Sequence, residues 1–544
     1  MLVKRIPPVN FISVMLVLVA WFTLVLNLPV LIHFWHILQA IGQYKIGFLL
    51  SIPVVLFSAL TFVFMPLSFR VVLKPVFCSL LLVTAVTSYA QYKYQVIFDR
   101  SMIENILETN TAEANSYSNL SVALWIIIGG ALPAILLAFT PISYGKSWSI
   151  GLIARFGFML GALAIIILIA CFYYKDYASV GRNNRSLNHE IQPTNYIFSS
   201  VKYISKRYFS KPLPYRTVAA DAHLAAQAPG AKPTLIFMVV GETARAENMS
   251  WQGYNRDTNP YTRSESDAVY YRNVSSCGTA TAISVPCMFS NLTRKHYDGN
   301  VARSSDNLID VVRRAGIETW WSDNDEGCKG ACDGTPNQII SDAATNPLCD
   351  GSTCYDGALL QSADDKITAD GKSKLMIFHL IGSHGPTYYR RYPTEFAKFL
   401  PDCRRSDIEN CTQQQLINTY DNTLLYTDYV VGQFIEKLKK YQQDYNVALY
   451  YISDHGESLG EKGLYLHGTP YNFAPSQQTH VPMLLWMPDN YLKADNLDVQ
   501  CVRKAADQQD FSHDNVFHTV LAMLKVETKD YNPGLDALAG CRHA

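Results

Sequence analysis

The chain has 544 residues, with 46 basic and 46 acidic side chains, so its formal net charge is zero. Without a basic excess it lacks the electrostatic footprint of a nucleic-acid binder. A mean hydropathy of +0.03 with 49% apolar residues excludes a disordered chain. Charge is spread unevenly: residues 1–175 carry 14 charged side chains and residues 176–544 carry 78. The first part has the composition of a membrane domain, the rest that of a soluble one.

Five uncharged apolar stretches lie near residues 11–33, 46–69, 76–91, 122–143 and 156–174. About 20 apolar residues cross a hydrocarbon layer, so a transmembrane domain with five spans is expected over residues 1–175. The third stretch needs its flanks to reach that length. Pro29, Pro53 and Pro133 fall within spans, where neighbouring helices tolerate them. Lys4, Arg5, Arg70, Lys74, Lys146 and Arg155 fall on one side. Lys45, Lys93 and Arg100 fall on the other, offset by Asp99, Glu104, Glu108 and Glu113. The positive-inside rule then puts the amino end in the cytoplasm, and an odd number of spans puts the carboxyl part outside. The first apolar run is too long for a cleavable signal and reads as an anchor.

Between the third and fourth stretches, residues 92–121 form a long external connection. Asn105, Thr109 and Glu113 recur there every four residues, which a helix would align on one face. That face is either an ordinary polar one or the wall of a headgroup site. Residues 176–233 are expected to be interfacial helices and a linker, the last part (219–233) being rich in Ala, Pro and Gly.

From residue 234 the pattern changes. Short apolar runs at 235–240, 319–321, 375–380, 447–452 and 481–486 alternate with helical stretches at 306–315 and 413–440. Continuous apolar runs indicate strands buried on both faces, hence an α/β sheet covered by helices over residues 234–544. Ten of the twelve cysteines lie here, and Cys78 and Cys171 lie in spans. An even count outside the membrane suits an oxidising compartment. The simplest pairing is sequential: Cys277 with Cys287, Cys328 with Cys332, Cys349 with Cys354, Cys403 with Cys411, and Cys501 with Cys541. The alternative is a zinc site at Cys328, Cys332, Cys349 and Cys354.

Ligands of open α/β sheets gather at the carboxyl ends of strands. After the first strand stands Glu242, after the 375–380 run His384, after the 447–452 run Asp454-His455, and further on His467. Carboxylates and imidazoles at neighbouring strand ends suit zinc. His480, His513 and His518 lack such a context and read as ordinary residues. A hydroxyl-rich stretch, 275–287, enters an apolar segment. A hydroxyl at a helix amino end is either a cap or, beside a cation, a nucleophile. Spacing does not choose between Thr279 and Thr281.

Cys277-Gly-Thr-Ala-Thr-Ala-Ile-Ser-Val-Pro-Cys-Met-Phe-Ser290 resembles the nucleophile segment of lipid A phosphoethanolamine transferases of the EptA and mobile colistin-resistance type. So do Val240-Gly-Glu-Thr-Ala-Arg-Ala246, Gly382-Ser-His-Gly-Pro-Thr-Tyr388, Ser453-Asp-His-Gly-Glu-Ser-Leu-Gly460 and Tyr465-Leu-His-Gly468. The resemblance implies an alkaline-phosphatase-like (sulfatase-like) periplasmic domain on a bacterial inner-membrane anchor, and the sequential disulfides fit it. It implies Thr281 as nucleophile and Glu242, Thr281, Asp454 and His455 around one tightly bound Zn2+. His384 and His467 would contact the substrate phosphate or a second zinc, and one of them would act as proton carrier. Asn105, Thr109, Glu113 and Lys329 would contact substrate. One departure is Glu326, where relatives often carry Ser or Gly; a carboxylate there favours the ammonium of ethanolamine or repels its phosphate. The implied reaction moves phosphoethanolamine from phosphatidylethanolamine to a lipid A phosphate through a covalent threonine intermediate. Diacylglycerol leaves and polymyxin resistance follows. The expected working unit is a monomer. A sulfatase would need Cys or Ser followed by x-Pro-x-Arg, and no such stretch occurs near Thr281 or Cys287.

Overall fold

A computed structural model of the chain describes residues 7–42, 44–109, 114–115, 117–145, 147–209, 211, 213–325, 327–340, 346–349 and 353–543. The chain divides into two compact units, Met1–Ile103 with Ser118–Tyr203, and Glu104–Tyr117 with Ile204–Ala544.

The first unit is helical. Ile46–Leu67, Leu73–Tyr94, Leu120–Phe139 and Trp148–Asn183 are each long and apolar enough to cross a membrane, and Phe11–Leu26 with Leu28–Ile41 forms a pair bent by 54°. The expected first span is therefore broken. Its cause is local: a π-turn over Phe22–Leu26 leads into Asn27, and Pro29 opens the next helix. A π-turn and a proline both interrupt the i to i−4 ladder, and together they kink it. Asn27 satisfies the break. Its amide donates to the Phe22 and Gln192 carbonyls (2.9 and 2.8 Å), and its oxygen accepts from Gln192 N (2.8 Å). A second π-turn, Ile127–Ala131, carries Gly129 and Gly130. A Cβ on Gly130 would stand 2.9 Å from the Leu81 carbonyl, so only glycine allows this close helix approach. The last long helix runs to Asn183, past the expected boundary at 175. A helix satisfies its own backbone wherever it lies, so the ladder need not stop where the apolar residues do.

The second unit is built on a seven-stranded sheet. In chain order its strands are β1 (Thr234–Gly241), β2 (Ala268–Tyr271), β3 (Glu318–Asp323), β4 (Asn337–Ile339), β5 (Lys374–His379), β6 (Asn446–Ser453) and β7 (Met483–Trp486). Their spatial order is β2-β7-β6-β1-β5-β3-β4. The central pairs β6–β1, β1–β5 and β5–β3 are parallel, and β7 runs antiparallel to both its neighbours. All eight residues of β1 are buried. Ile236, Met238 and Val240 pack into one core, and Leu235, Phe237 and Val239 into the other. Both faces are thus covered, which is why the run is continuously apolar rather than alternating.

Residues 219–233 are only partly a linker. Val218, Ala219 and Ala222 are buried in the α/β core, and His223–Leu224 pairs with Val526–Glu527. The apolar side chains of the segment find a core surface, which outweighs the flexibility of its glycine and prolines.

Five disulfides join the cysteines sequentially, as expected. They are Cys277–Cys287, Cys328–Cys332, Cys349–Cys354, Cys403–Cys411 and Cys501–Cys541. Cys403–Cys411 closes the loop leading into the long helix Gln413–Lys439, and Cys501–Cys541 ties the helix Val499–Gln508 to the carboxyl end of the chain. None of these ten cysteines is therefore a catalytic or metal-binding thiol. Cys78 and Cys171 are free thiols. With its four cysteines paired, the 328–354 segment has no thiolates for the alternative zinc site.

Candidate active site

Register brings the chemistry together. Gly241 pairs with Ser453, Val240 with His379, and Asp323 with His379. The next residues, Glu242, Asp454 and the turn after Asp323, therefore leave the sheet side by side. Gly382 packs against this point at φ +48°. A Cβ there would meet the Glu242 carbonyl at 2.5 Å, so the loop carrying His384 can close on Glu242 only with glycine. Asp356 pins that loop by accepting from Ile381 N (2.8 Å) and Gly382 N (2.9 Å). Burial raises the Asp356 carboxyl above its ordinary range.

Thr281 is the first residue of the helix Thr281–Met288, with Ala280 as its cap. Its hydroxyl donates to Glu242 Oε2 (3.1 Å) and lies 3.4 Å from His455 Nε2. Thr279 instead donates to the Thr469 carbonyl (2.6 Å). Geometry thus separates two threonines that spacing leaves equivalent. His455 Nδ1 donates to the Gly456 carbonyl (2.9 Å), so Nε2 is its free lone pair. That nitrogen is 3.5 Å from Glu242 Oε1 and 3.4 Å from Asp454 Oδ2.

These separations are too long for strong hydrogen bonds but suit ligands of one cation. Zinc bonds of about 2.0–2.1 Å set tetrahedral ligand atoms roughly 3.4 Å apart. Glu242 Oε1 and Asp454 Oδ2 are buried and have no hydrogen-bond partner among the described residues. Burial first, then the Asp454 and Asp325 charges, push the Glu242 carboxyl well above its usual range. Such a carboxylate is stable only when protonated or beside a cation. The donor set fits zinc.

The two other predicted histidines stand at the same place. His467 and His455 have ring centroids 4.6 Å apart, and His467 and His384 5.3 Å. Burial first, and then the His467 and Arg391 charges, hold His384 well below its ordinary value. His467 Nδ1 bonds the buried Glu457 Oε2 (2.8 Å), whose other oxygen accepts from the Tyr388 hydroxyl (2.5 Å).

Asn105 lies on the helix Arg100–Glu108. Thr109 follows it, its hydroxyl donating to the Asn105 carbonyl (2.9 Å). Both belong to the α/β unit, where Arg303 pairs with Glu104 (3.3 Å). Lys329, at φ +49° in the Cys328–Cys332 loop, acts electrostatically on Glu108 and His384. Glu113 and Glu326 lie outside the described residues.

Four residues escape the sequence reading. His513, expected to be ordinary, is a buried strut. It accepts from Cys277 N at Nδ1 (3.1 Å) and bonds the Ser453 carbonyl at Nε2 (2.9 Å). It thereby ties the Thr281 segment to the strand carrying Asp454. Glu457 orients His467. Asp325 and His379 stand beside Glu242. The available signal for these last two was a polar residue closing or following an apolar strand. Thr243 holds φ +52°, an outlying value for a β-branched residue. Tyr420 fixes it by donating to its carbonyl (2.6 Å), and Asp454 Oδ1 accepts from its N–H (3.3 Å). Strain held this way beside a site is characteristic of function.

A helical membrane unit with an α/β unit of this kind defines a class, the membrane-anchored enzymes of the alkaline phosphatase superfamily. The family Sulfatase matches residues 234–526, and the family phosphoethanolamine transferase EptA/EptB matches residues 56–208. Phosphoethanolamine transferase EptA of Escherichia coli K12 is 40% identical over 99% of this chain and 98% of its own. Phosphatidylethanolamine transferase Mcr-1 of Escherichia coli is 41% identical over 81% of this chain and 83% of its own. The solved structure of Neisseria meningitidis lipooligosaccharide phosphoethanolamine transferase A superposes with a TM-score of 0.94. It is 36% identical and covers 99% of this chain and all of that one. The chain belongs to the EptA family of phosphoethanolamine transferases.

Proposed function

We propose that the protein transfers phosphoethanolamine from phosphatidylethanolamine to a phosphate of lipid A, through a covalent phosphoethanolamine–Thr281 intermediate. The observation that carries this reading is the Thr281 hydroxyl, at a helix amino end, meeting Glu242 and His455 within 3.4 Å. Glu242, Thr281, Asp454 and His455 would hold one zinc ion. Zinc bound there would supply Lewis acidity, favouring the ionised threonine and offsetting charge on phosphate oxygens.

In the first step Thr281 Oγ attacks the donor phosphorus, and the bond from phosphorus to the diacylglycerol oxygen breaks. The threonine proton ends on that oxygen. In the second step a lipid A phosphate oxygen attacks the same phosphorus, the Thr281 ester breaks, and the acceptor proton returns to Thr281. His467 Nε2 carries the proton, on a ring oriented by Glu457. His384, kept neutral by burial, faces the phosphate as a hydrogen-bonding partner. Asn105, Thr109 and Lys329 contact the headgroup. Dividing the transfer lets one site handle two bulky lipids in turn.

The distribution of lysine and arginine over residues 1–175 orients the chain with its amino end in the cytoplasm and the α/β unit in the periplasm, where disulfides persist. An ammonium added to lipid A weakens its attraction for cationic peptides such as polymyxins. Expression in a polymyxin-sensitive bacterium, followed by lipid A mass spectrometry and susceptibility testing, checks the proposal. A phosphoethanolamine adduct on lipid A with raised resistance is expected. Unchanged lipid A, with ethanolamine phosphate released to water, would make the enzyme a hydrolase.

A further inference from the structure

A second group of ligand-type atoms shares Glu242 with the Thr281 cluster. His379 closes β5, Asp325 follows β3, and both are buried. One ligand atom each from Glu242, Asp325 and His379 lies within 4.8 Å of the others. Asp323 fixes the histidine. Its Oδ1 accepts from Asp325 N (2.9 Å) and Gly327 N (3.1 Å), and its Oδ2 from Trp321 Nε1 (2.8 Å) and His379 Nδ1 (3.0 Å). An acceptor-only carboxylate on Nδ1 assigns the proton there. On the neutral ring Nε2 then carries the lone pair, with Asp325 and Glu242 beside it. Carboxylate-bound histidines of this kind are the usual second neighbours of protein metals.

Nε2 itself has no hydrogen-bond partner among the described residues, although it is fully buried. It lies 3.9 Å from Asp325 Oδ2. That is beyond hydrogen bonding, yet within the span of about 4.2 Å that two ligands of one zinc-sized cation can reach. Charge points the same way. Glu242, Asp323, Asp325 and Asp454 are four buried carboxylates, each no more than 9% exposed. So many acceptor-type groups in one buried cluster suit cation ligands.

We propose that Glu242, Asp325 and His379 form a second divalent-cation site, of the zinc class, in which Glu242 bridges two metal ions. The His384–His467 pair is no part of it. The inference rests on reading Glu242, Thr281, Asp454 and His455 as the first zinc site. Two carboxylates and one imidazole select zinc or manganese over calcium.

The test is metal content by elemental analysis, on the full-length detergent-solubilised protein dialysed against limiting zinc. It is carried out in a His384→Ala/His467→Ala background, which removes the other histidines able to bind zinc. Two zinc ions per chain are expected, falling to one when His379→Gln is added. One ion before and after that change would overturn the proposal, leaving His379 as a protonated counter-charge. Two ions in both would overturn it as well. No zinc in either would sink the first-site reading and this one with it. Because the His379 variant could unfold, a zinc-edge anomalous difference map of the unmutated protein gives a second answer. A peak between Glu242, Asp325 and His379 supports the site. A single peak beside Thr281, Asp454 and His455 contradicts it.

Discussion

Two buried polar groups at structural joints of the helical unit contrast with the polar cluster at the strand ends of the α/β unit. In the helical unit, Arg155 donates to the Ser68 hydroxyl, the Ser68 carbonyl and the Gly151 carbonyl at 2.8–2.9 Å, with its guanidinium over the Phe11 and Phe69 rings. Asn27 likewise bonds three backbone groups around the helix break. These groups are saturated by their neighbours, so their work is structural. In the α/β unit, Glu242 Oε1, Asp454 Oδ2 and His379 Nε2 are as deeply buried and lack hydrogen-bond partners among the described residues. These atoms belong to two ligand-type groups that share Glu242. Burial with open valence costs several kcal/mol unless a ligand completes it. Single buried atoms without a partner occur in both units; what marks the reactive region is several open carboxylate and imidazole atoms gathered at neighbouring strand ends.

That contrast can be broken by substitution. The largest effect is expected for Thr281→Ala: transfer to lipid A falls by about 10³-fold or more, roughly 4 kcal/mol or more in the barrier. Lipid A mass spectrometry reads the loss, with unchanged melting to show that the fold survives. A Thr279→Ala variant, losing only its bond to Thr469, should keep most of its activity.

The next effect is a pH dependence of stability. Burial lowers His513 from 6.5 to about 4. The unfolded chain takes up this proton below pH 6.5 while the native residue stays neutral down to about pH 4. Stability is therefore full above pH 6.5 and falls as the pH drops across that window, by about 3 kcal/mol. In His513→Asn, less stable overall, the thermal midpoint should vary less with pH over the same range. An unaltered slope would show that other groups carry it.

The smallest effect belongs to the saturated polar group. Asn27→Leu strands the buried Gln192 N–H and should cost about 2 kcal/mol of stability. Zinc content should not change. A loss of bound zinc in that variant would erase the distinction between the two kinds of burial.

How much could be read without coordinates follows the same division. The parallel strands were legible because both their faces are apolar, and Glu242, Asp454 and His455 because each leaves such a strand directly. The disulfides were legible because each cysteine pairs with its nearest neighbour in the chain, even Cys501 with Cys541 across 40 residues. The helix break at Asn27 was not, since a π-turn leaves no mark in hydropathy; only the Asn-Leu-Pro order hinted at it. Asn105 and Thr109 share a turn as their spacing suggests, but the helix Arg100–Glu108 ends before Thr109. His513 could not be found, because its role depends on joining Cys277 to Ser453 across the fold. Glu457 sat inside a quoted motif without a role, since orientation of another side chain has no signature in one sequence.

The most direct test of the account is peptide mass spectrometry on the zinc-loaded, detergent-solubilised protein after incubation with phosphatidylethanolamine and no acceptor. A phosphoethanolamine adduct on Thr281, with diacylglycerol released, is the predicted result. An adduct on another residue, or diacylglycerol release undiminished in Thr281→Ala, would contradict it.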